Sequence, residues 1–120
     1  MDHCQDLMLR FRRLRLDVAA LQDTRLSSSD LPFALARLRR AMEPEYRVYG
    51  VPTAAAPTET ARSAKVGGQI LCIRQRKISG WALTRLHKDP SDTGAFVALE
   101  LHHISGRRAR VISVYIHNPA

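Results

Sequence analysis

The sequence predicts an α/β fold built of α+β layers, and three observations carry that prediction. Residues 4–50 alternate helical with strand-like spacing of apolar side chains, twice over. Residues 67–116 are strand-rich and end on two alternating runs joined by Ser105-Gly106-Arg107, the pattern of an antiparallel hairpin. At 120 residues the chain is long enough for one domain with a single modest core and too short for two.

Taken in order, "CQDLMLRFRRLRLD" spaces Leu7, Met8, Phe11 and Leu14 as one face of an amphipathic helix, with Arg10, Arg12, Arg13 and Arg15 falling mostly elsewhere. "LDVAALQ" then reads as a short buried strand, which stops at Gln22, Asp23, Thr24 and Arg25. Polar residues at the end of a buried strand are where α/β folds usually place ligands. "SSSD" supplies helix-start chemistry: Ser29 or Asp30 can cap free N–H groups, and Pro32 fits the first turn. Leu31, Leu35, Leu38 and Met42 form the inward stripe of that second helix, and Arg37, Arg39 and Arg40 suit its negative end. "YRVYG" alternates as a short strand with one covered face.

Residues 51–68, with two prolines, many small residues and a closing Gly pair, have neither period and predict a long loop of the kind that is often functional. A strand from about Gln69 to Arg74 follows, then a shorter one in "WALTRL". The hairpin comes last, formed by "FVALELHHI" and "RARVISVYI".

Composition narrows the function classes. Hydrophobic residues make up 45% and charged residues 25%, as in a globular domain. No apolar run reaches the roughly 18–20 residues that span a bilayer, and the amino terminus lacks the pattern of a signal peptide, so an intracellular protein with no membrane span is expected. Cys4 and Cys72 stand apart from each other and from any zinc-ligand spacing, and are expected as reduced thiols. The net charge of +8 makes nucleic acid a candidate partner through a basic surface. Nucleotide-binding, serine-hydrolase and zinc-protease signatures are absent. Adjacent His102 and His103 point to opposite faces of a strand and make no obvious ligand pair.

The order of motifs resembles a known family. A helix, "LDVAALQDTRL", a second helix, "GGQILCIRQRKISG" and "FVALELHHISGRRARVISVYIHN" look like the first half of the endonuclease/exonuclease/phosphatase domain. The nearest flavour is the apurinic-like endonuclease of LINE-type (non-LTR) retrotransposons. That family typically shows an "LQET" strand end, a Gly-Gly strand after a long loop, and a hairpin ending in "VYxPN".

The resemblance implies a partial four-layer α/β/β/α sandwich, with one mixed sheet, two helices and the C-terminal hairpin. It places Asp23 at the family's acidic metal ligand with Gln22 in support, and Tyr115 and Asn118 at the site tyrosine and asparagine. Mg²⁺ is the implied cofactor, held by hard carboxylate oxygens to stabilise charge in phosphodiester hydrolysis. The chain departs from the pattern at Asp23, where the family has Glu, and at His117, where it has Pro. The family's first strand and its second half, with the remaining catalytic groups, have no counterpart in these 120 residues.

The expectation is thus a truncated, inactive phosphodiesterase domain, serving as a remnant or accessory subunit in a larger assembly. A protein partner or second half-domain is expected over the exposed sheet face. The alternatives are the amino-terminal part of an active DNA endonuclease and a basic nucleic-acid-binding subunit without catalysis.

Overall fold

Helix α1 (His3–Leu14) ends in a way that its apolar spacing does not announce. A computed structural model of the chain describes residues 3–53, 67–88 and 96–114. In it, Arg15 takes φ 54, the Arg15 N–H reaches the Arg12 carbonyl at 3.1 Å, and the Leu16 N–H reaches the Phe11 carbonyl at 3.1 Å. These two bonds form a Schellman motif, with Arg15 in the left-handed position that glycine usually fills. The turn carries Leu16 back onto the core beside Phe11. Leu14, expected on the inward stripe, is consequently 66% exposed, while Met8 and Phe11 are buried.

Helix α2 (Leu31–Met42) buries Leu31, Leu35, Leu38 and Met42, the stripe expected of it. Its start differs from expectation, because Asp30 makes no side-chain cap bond. The Asp30 N–H instead donates to Ser27 Oγ at 3.1 Å, in the turn that leads into the helix.

The strands form two three-stranded antiparallel sheets rather than the single mixed sheet expected. In the N-terminal sheet, β3 (Gly67–Arg74) lies between β1 (Val18–Gln22) and β2 (Tyr46–Thr53), antiparallel to both. In the C-terminal sheet, β5 (Phe96–His103) lies between β4 (Trp81–Lys88) and β6 (Arg108–Val114). The turn after β5 is the predicted one, closed by the Gly106 N–H on the His103 carbonyl. The two ends of the expected 51–68 loop are strand, and its interior, residues 54–66, lies outside the described residues.

β3 is buried along its whole length because both its faces are covered. One face, with Ile70 and Cys72, packs under α1 and α2 against Met8, Phe11, Leu35 and Tyr46. The other, with Leu71 and Ile73, meets Val97 and Leu99 of the C-terminal sheet. Helices, first sheet and second sheet therefore stack as three layers, an α/β architecture. β1, expected to be buried, is an edge strand: Ala19 and Leu21 face the helices, whereas Val18 is 46% exposed.

Far from the Gly67 end of β3, Arg74 ties β3 to β2 and to the connection between α1 and β1. Its Nη2 donates to Tyr46 Oη at 3.1 Å, the fully buried Tyr46 hydroxyl donates to the Leu16 carbonyl at 2.5 Å, and Arg74 Nη1 lies 3.5 Å from Asp17. The hydrogen bond to Tyr46 is the first of the causes that push the Arg74 pKa above its ordinary value. Cys72 sits 3.9 Å from the Met42 sulfur, and burial pushes its thiol up to about 12, which removes it from thiolate chemistry.

Candidate functional site at the strand ends

Where β1 ends, the backbone takes two left-handed steps, Asp23 at φ 55 and Arg25 at φ 58. Asp tolerates this region better than most residues because its short side chain bonds locally. Gly67 and Gly68, both at φ 81, answer from the start of β3, and this conformation is the physical reason for the Gly pair. The Thr24 and Arg25 N–H groups donate to the carbonyls of Gly68 and Gly67, each at 3.0 Å. The polar stretch after β1 is thereby clasped to β3.

The Asp23 carboxylate completes the clasp. Its Oδ1 accepts the Gly67 N–H at 2.8 Å, and its Oδ2 accepts from Arg25 Nε, with Arg25 Nη2 also at 3.2 Å. The Asp23 side chain is only 20% exposed. Beside it, Thr24 Oγ1 is buried without a hydrogen-bond partner among the described residues.

Gln22 reaches across to the second sheet. Its Nε2 donates to Ser113 Oγ at 3.1 Å and to the Val114 carbonyl at 2.7 Å. Ser113 Oγ in turn donates to Oε1 of Gln69, the cross-strand neighbour of Gln22 and fully buried. A polar bridge of Gln22, Ser113 and Gln69 therefore joins β1 and β3 to the end of β6. Buried polar groups demand partners, so this bridge fixes how the two sheets meet at this corner.

Of the residues predicted for the site, Gln22 and Asp23 stand side by side, and the end of β6 is brought against Gln22. Tyr115 and Asn118 lie outside the described residues. Sequence reasoning did not single out Gln69, Ser113 or the Gly67 N–H, and it placed Arg25 at the strand end without its pairing to Asp23. A polar residue inside an apolar run, as in "GGQIL" and "VISVY", was the available signal for the first two.

The arrangement can hold strand ends and orient donors. Among the described residues, no group of three or more His, Cys, Asp or Glu side chains is placed to hold a metal. Mg²⁺ asks for near-octahedral hard oxygens from carboxylates, phosphate and water. Among the described residues, the donor set at Asp23 is one carboxylate whose oxygens accept from Gly67 and Arg25, and by itself it does not make that shell. No helix among the described residues is long and apolar enough to cross a membrane. Compared with protein-family models and with curated proteins, the chain matches none.

Proposed function

We propose that this chain is a phosphodiesterase-type half-domain that keeps the frame of a strand-end site and performs no hydrolysis, serving as an accessory subunit in a larger assembly. The observation that carries the reading is the use made of Asp23. The carboxylate that the family resemblance assigns to metal binding is bonded to Gly67 and Arg25, where it closes β1 onto β3. Shortening Glu to Asp fits that use, since the shorter side chain reaches its own strand's surroundings rather than out to an ion. Exposed apolar side chains at the neighbouring edges, Val18 at 46%, Ile112 at 59% and Val114 at 53%, support a protein partner or second half-domain there.

A plasmid-nicking assay with Mg²⁺ tests the reading. The expected outcome is no cleavage above that of Asp23→Ala, while the same variant loses stability by about 1–3 kcal/mol because the Gly67 N–H loses its acceptor. Mg²⁺-dependent nicking that Asp23→Ala abolishes would show instead an active endonuclease.

A second reading, a nucleic-acid-binding subunit without catalysis, is favoured by the net charge of +8. The two readings are compatible, since an accessory subunit can contribute affinity without chemistry.

A further inference from the structure

The chain carries the pattern Arg-x-Arg-x-x-Ser twice, from Arg74 to Ser79 in "RQRKIS" and from Arg108 to Ser113 in "RARVIS". Basic residues ahead of a serine form the charge pattern that basophilic serine/threonine kinases read with acidic side chains of their substrate groove. Spacing alone does not choose between the two serines, but their surroundings do.

Ser113 is only 5% exposed, lies within β6, and has its hydroxyl engaged with Gln22 and Gln69. A kinase must draw out a serine with its flanking residues, which here would break the β5–β6 ladder and strand buried Gln69. Ser79 stands at the other extreme. It follows a short 3₁₀ helix (Gln75–Ile78) that buries no residue, it is exposed, and its hydroxyl has no hydrogen-bond partner among the described residues. Gly80, at φ 82, then turns the chain into β4. A segment with so few buried contacts opens locally at low cost, as entry into a kinase groove requires.

The basic residues ahead of Ser79 divide into bound and available. Arg74 is 9% exposed and committed to Tyr46 and Asp17, so it stays with β3. Lys77 lies 3.7 Å from Asp17, a surface pair of half-exposed side chains that is weakly held. Arg76 is exposed and has no ion pair or side-chain hydrogen bond among the described residues. It precedes Ser79 by three positions, and at three residues per turn that spacing sets both side chains on one side. Both line a hollow of about 530 Å³ with Arg74, Gln75 and Glu45, whose carboxylate is paired with Arg12 at 3.2 Å. Among the described residues one other exposed serine, Ser28, has an arginine three positions before it, but that Arg25 is held by Asp23.

We infer that Ser79 is a phosphorylation site for a basophilic serine/threonine kinase, with Arg76 and Lys77 as the residues the kinase recognises and Arg76 as the partner of the attached phosphate. In the transfer the Ser79 oxygen attacks the γ-phosphorus of ATP and the bond from that phosphorus to the β,γ-bridging oxygen breaks. ADP leaves, and the hydroxyl proton passes to the catalytic aspartate of the kinase. The product carries about −1.5 to −2 charges at neutral pH and three acceptor oxygens, which the planar donor fork of Arg76 matches. The assignment is independent of Asp23 and of the reading built on it.

The test treats the folded full chain with Mg²⁺, ATP and the catalytic subunit of cyclic-AMP-dependent protein kinase, and reads the product by mass spectrometry. One phosphoryl group per chain is expected, mapped to Ser79, with none at Ser113 and none gained by Ser79→Ala. Arg76→Gln is expected to slow the transfer at least about tenfold, the effect of losing one charged contact, while Arg108→Gln in the other motif leaves the rate unchanged. No transfer to Ser79, faster transfer to Ser113 or Ser28, or equal slowing by the two arginine variants would overturn the assignment. Phosphorus NMR of the phosphorylated chain is expected to place the second phosphate pKa below the free value of about 6, because a guanidinium favours the dianion. In Arg76→Gln, phosphorylated to completion with more kinase, that pKa is expected to rise again; equal values would remove Arg76 as the partner of the phosphate. Circular-dichroism melting shows whether each variant keeps the fold, and the mapping on the natural chain decides the site without any variant.

Discussion

Arg15 holds a left-handed backbone so that Phe11 and Leu16 can meet in the core. For a residue with a Cβ this conformation costs about 1–2 kcal/mol, part of which glycine returns as unfolded-chain entropy. Arg15→Gly is therefore expected to raise stability by about 1 kcal/mol, read as a higher urea midpoint with unchanged m-value. An unchanged or lower midpoint would mean that the Arg15 side chain supports the helix end in some other way. Asp23 and Arg25 share the backbone conformation but not the remedy. Asp23 there aims a carboxylate at Gly67, so the strain of its backbone is tied to a specific bond.

At the scale of elements, α2 was legible in the sequence because its stripe is local: Leu31, Leu35, Leu38 and Met42 carry their burial in their spacing. β1 was legible as a strand but not as an edge, because "VAALQ" is apolar whether a strand lies in the middle of a sheet or at its edge. Edge position is decided by β3, whose Ile73 meets Val18 of β1 across most of the N-terminal half of the chain. The single sheet expected became two for the same reason, since pairing between distant strands leaves no periodic trace. The position of Asp23 at a strand end was legible, but its partner was not, being the backbone of a glycine 44 residues away. The Gln22–Ser113–Gln69 bridge yields an element-scale prediction. Ser113→Ala takes a donor from buried Gln69 and an acceptor from Gln22, and is expected to cost about 1–3 kcal/mol. Hydrogen exchange should rise at the ends of β1 and β6 together; a rise confined to β6 would show that the bridge does not couple the sheets.

For the molecule as a whole, charge sets the response to acid. Glu100, at the centre of the outer face of the C-terminal sheet, accepts from His87 Nε2 at 3.1 Å and lies 3.9 Å from both His102 and Arg110. The bond from His87 leads the causes that hold its carboxyl below the ordinary range, ahead of the pull of Arg110 and His102. A lowered folded-state pKa means that the unfolded chain takes up the proton first, so this stabilisation is present above the unfolded value, about 4.3, and drains away as pH falls toward the folded one. Urea midpoints measured from about pH 6 down to pH 3 should fall less steeply for Glu100→Gln than for the natural chain, and parallel curves would remove Glu100 from the account.

β3 has a consequence for the order of events in folding. Every strand contact of β1 and β2 in their sheet is made to it, and its opposite face meets β5. As the chain leaves the ribosome, α1, β1, α2 and β2 therefore appear with no sheet to join until Gly67–Arg74 emerges. Closure across that distance carries a loop-entropy cost before any burial rewards it, so the arrival of this one strand sets the pace of assembly for both cores.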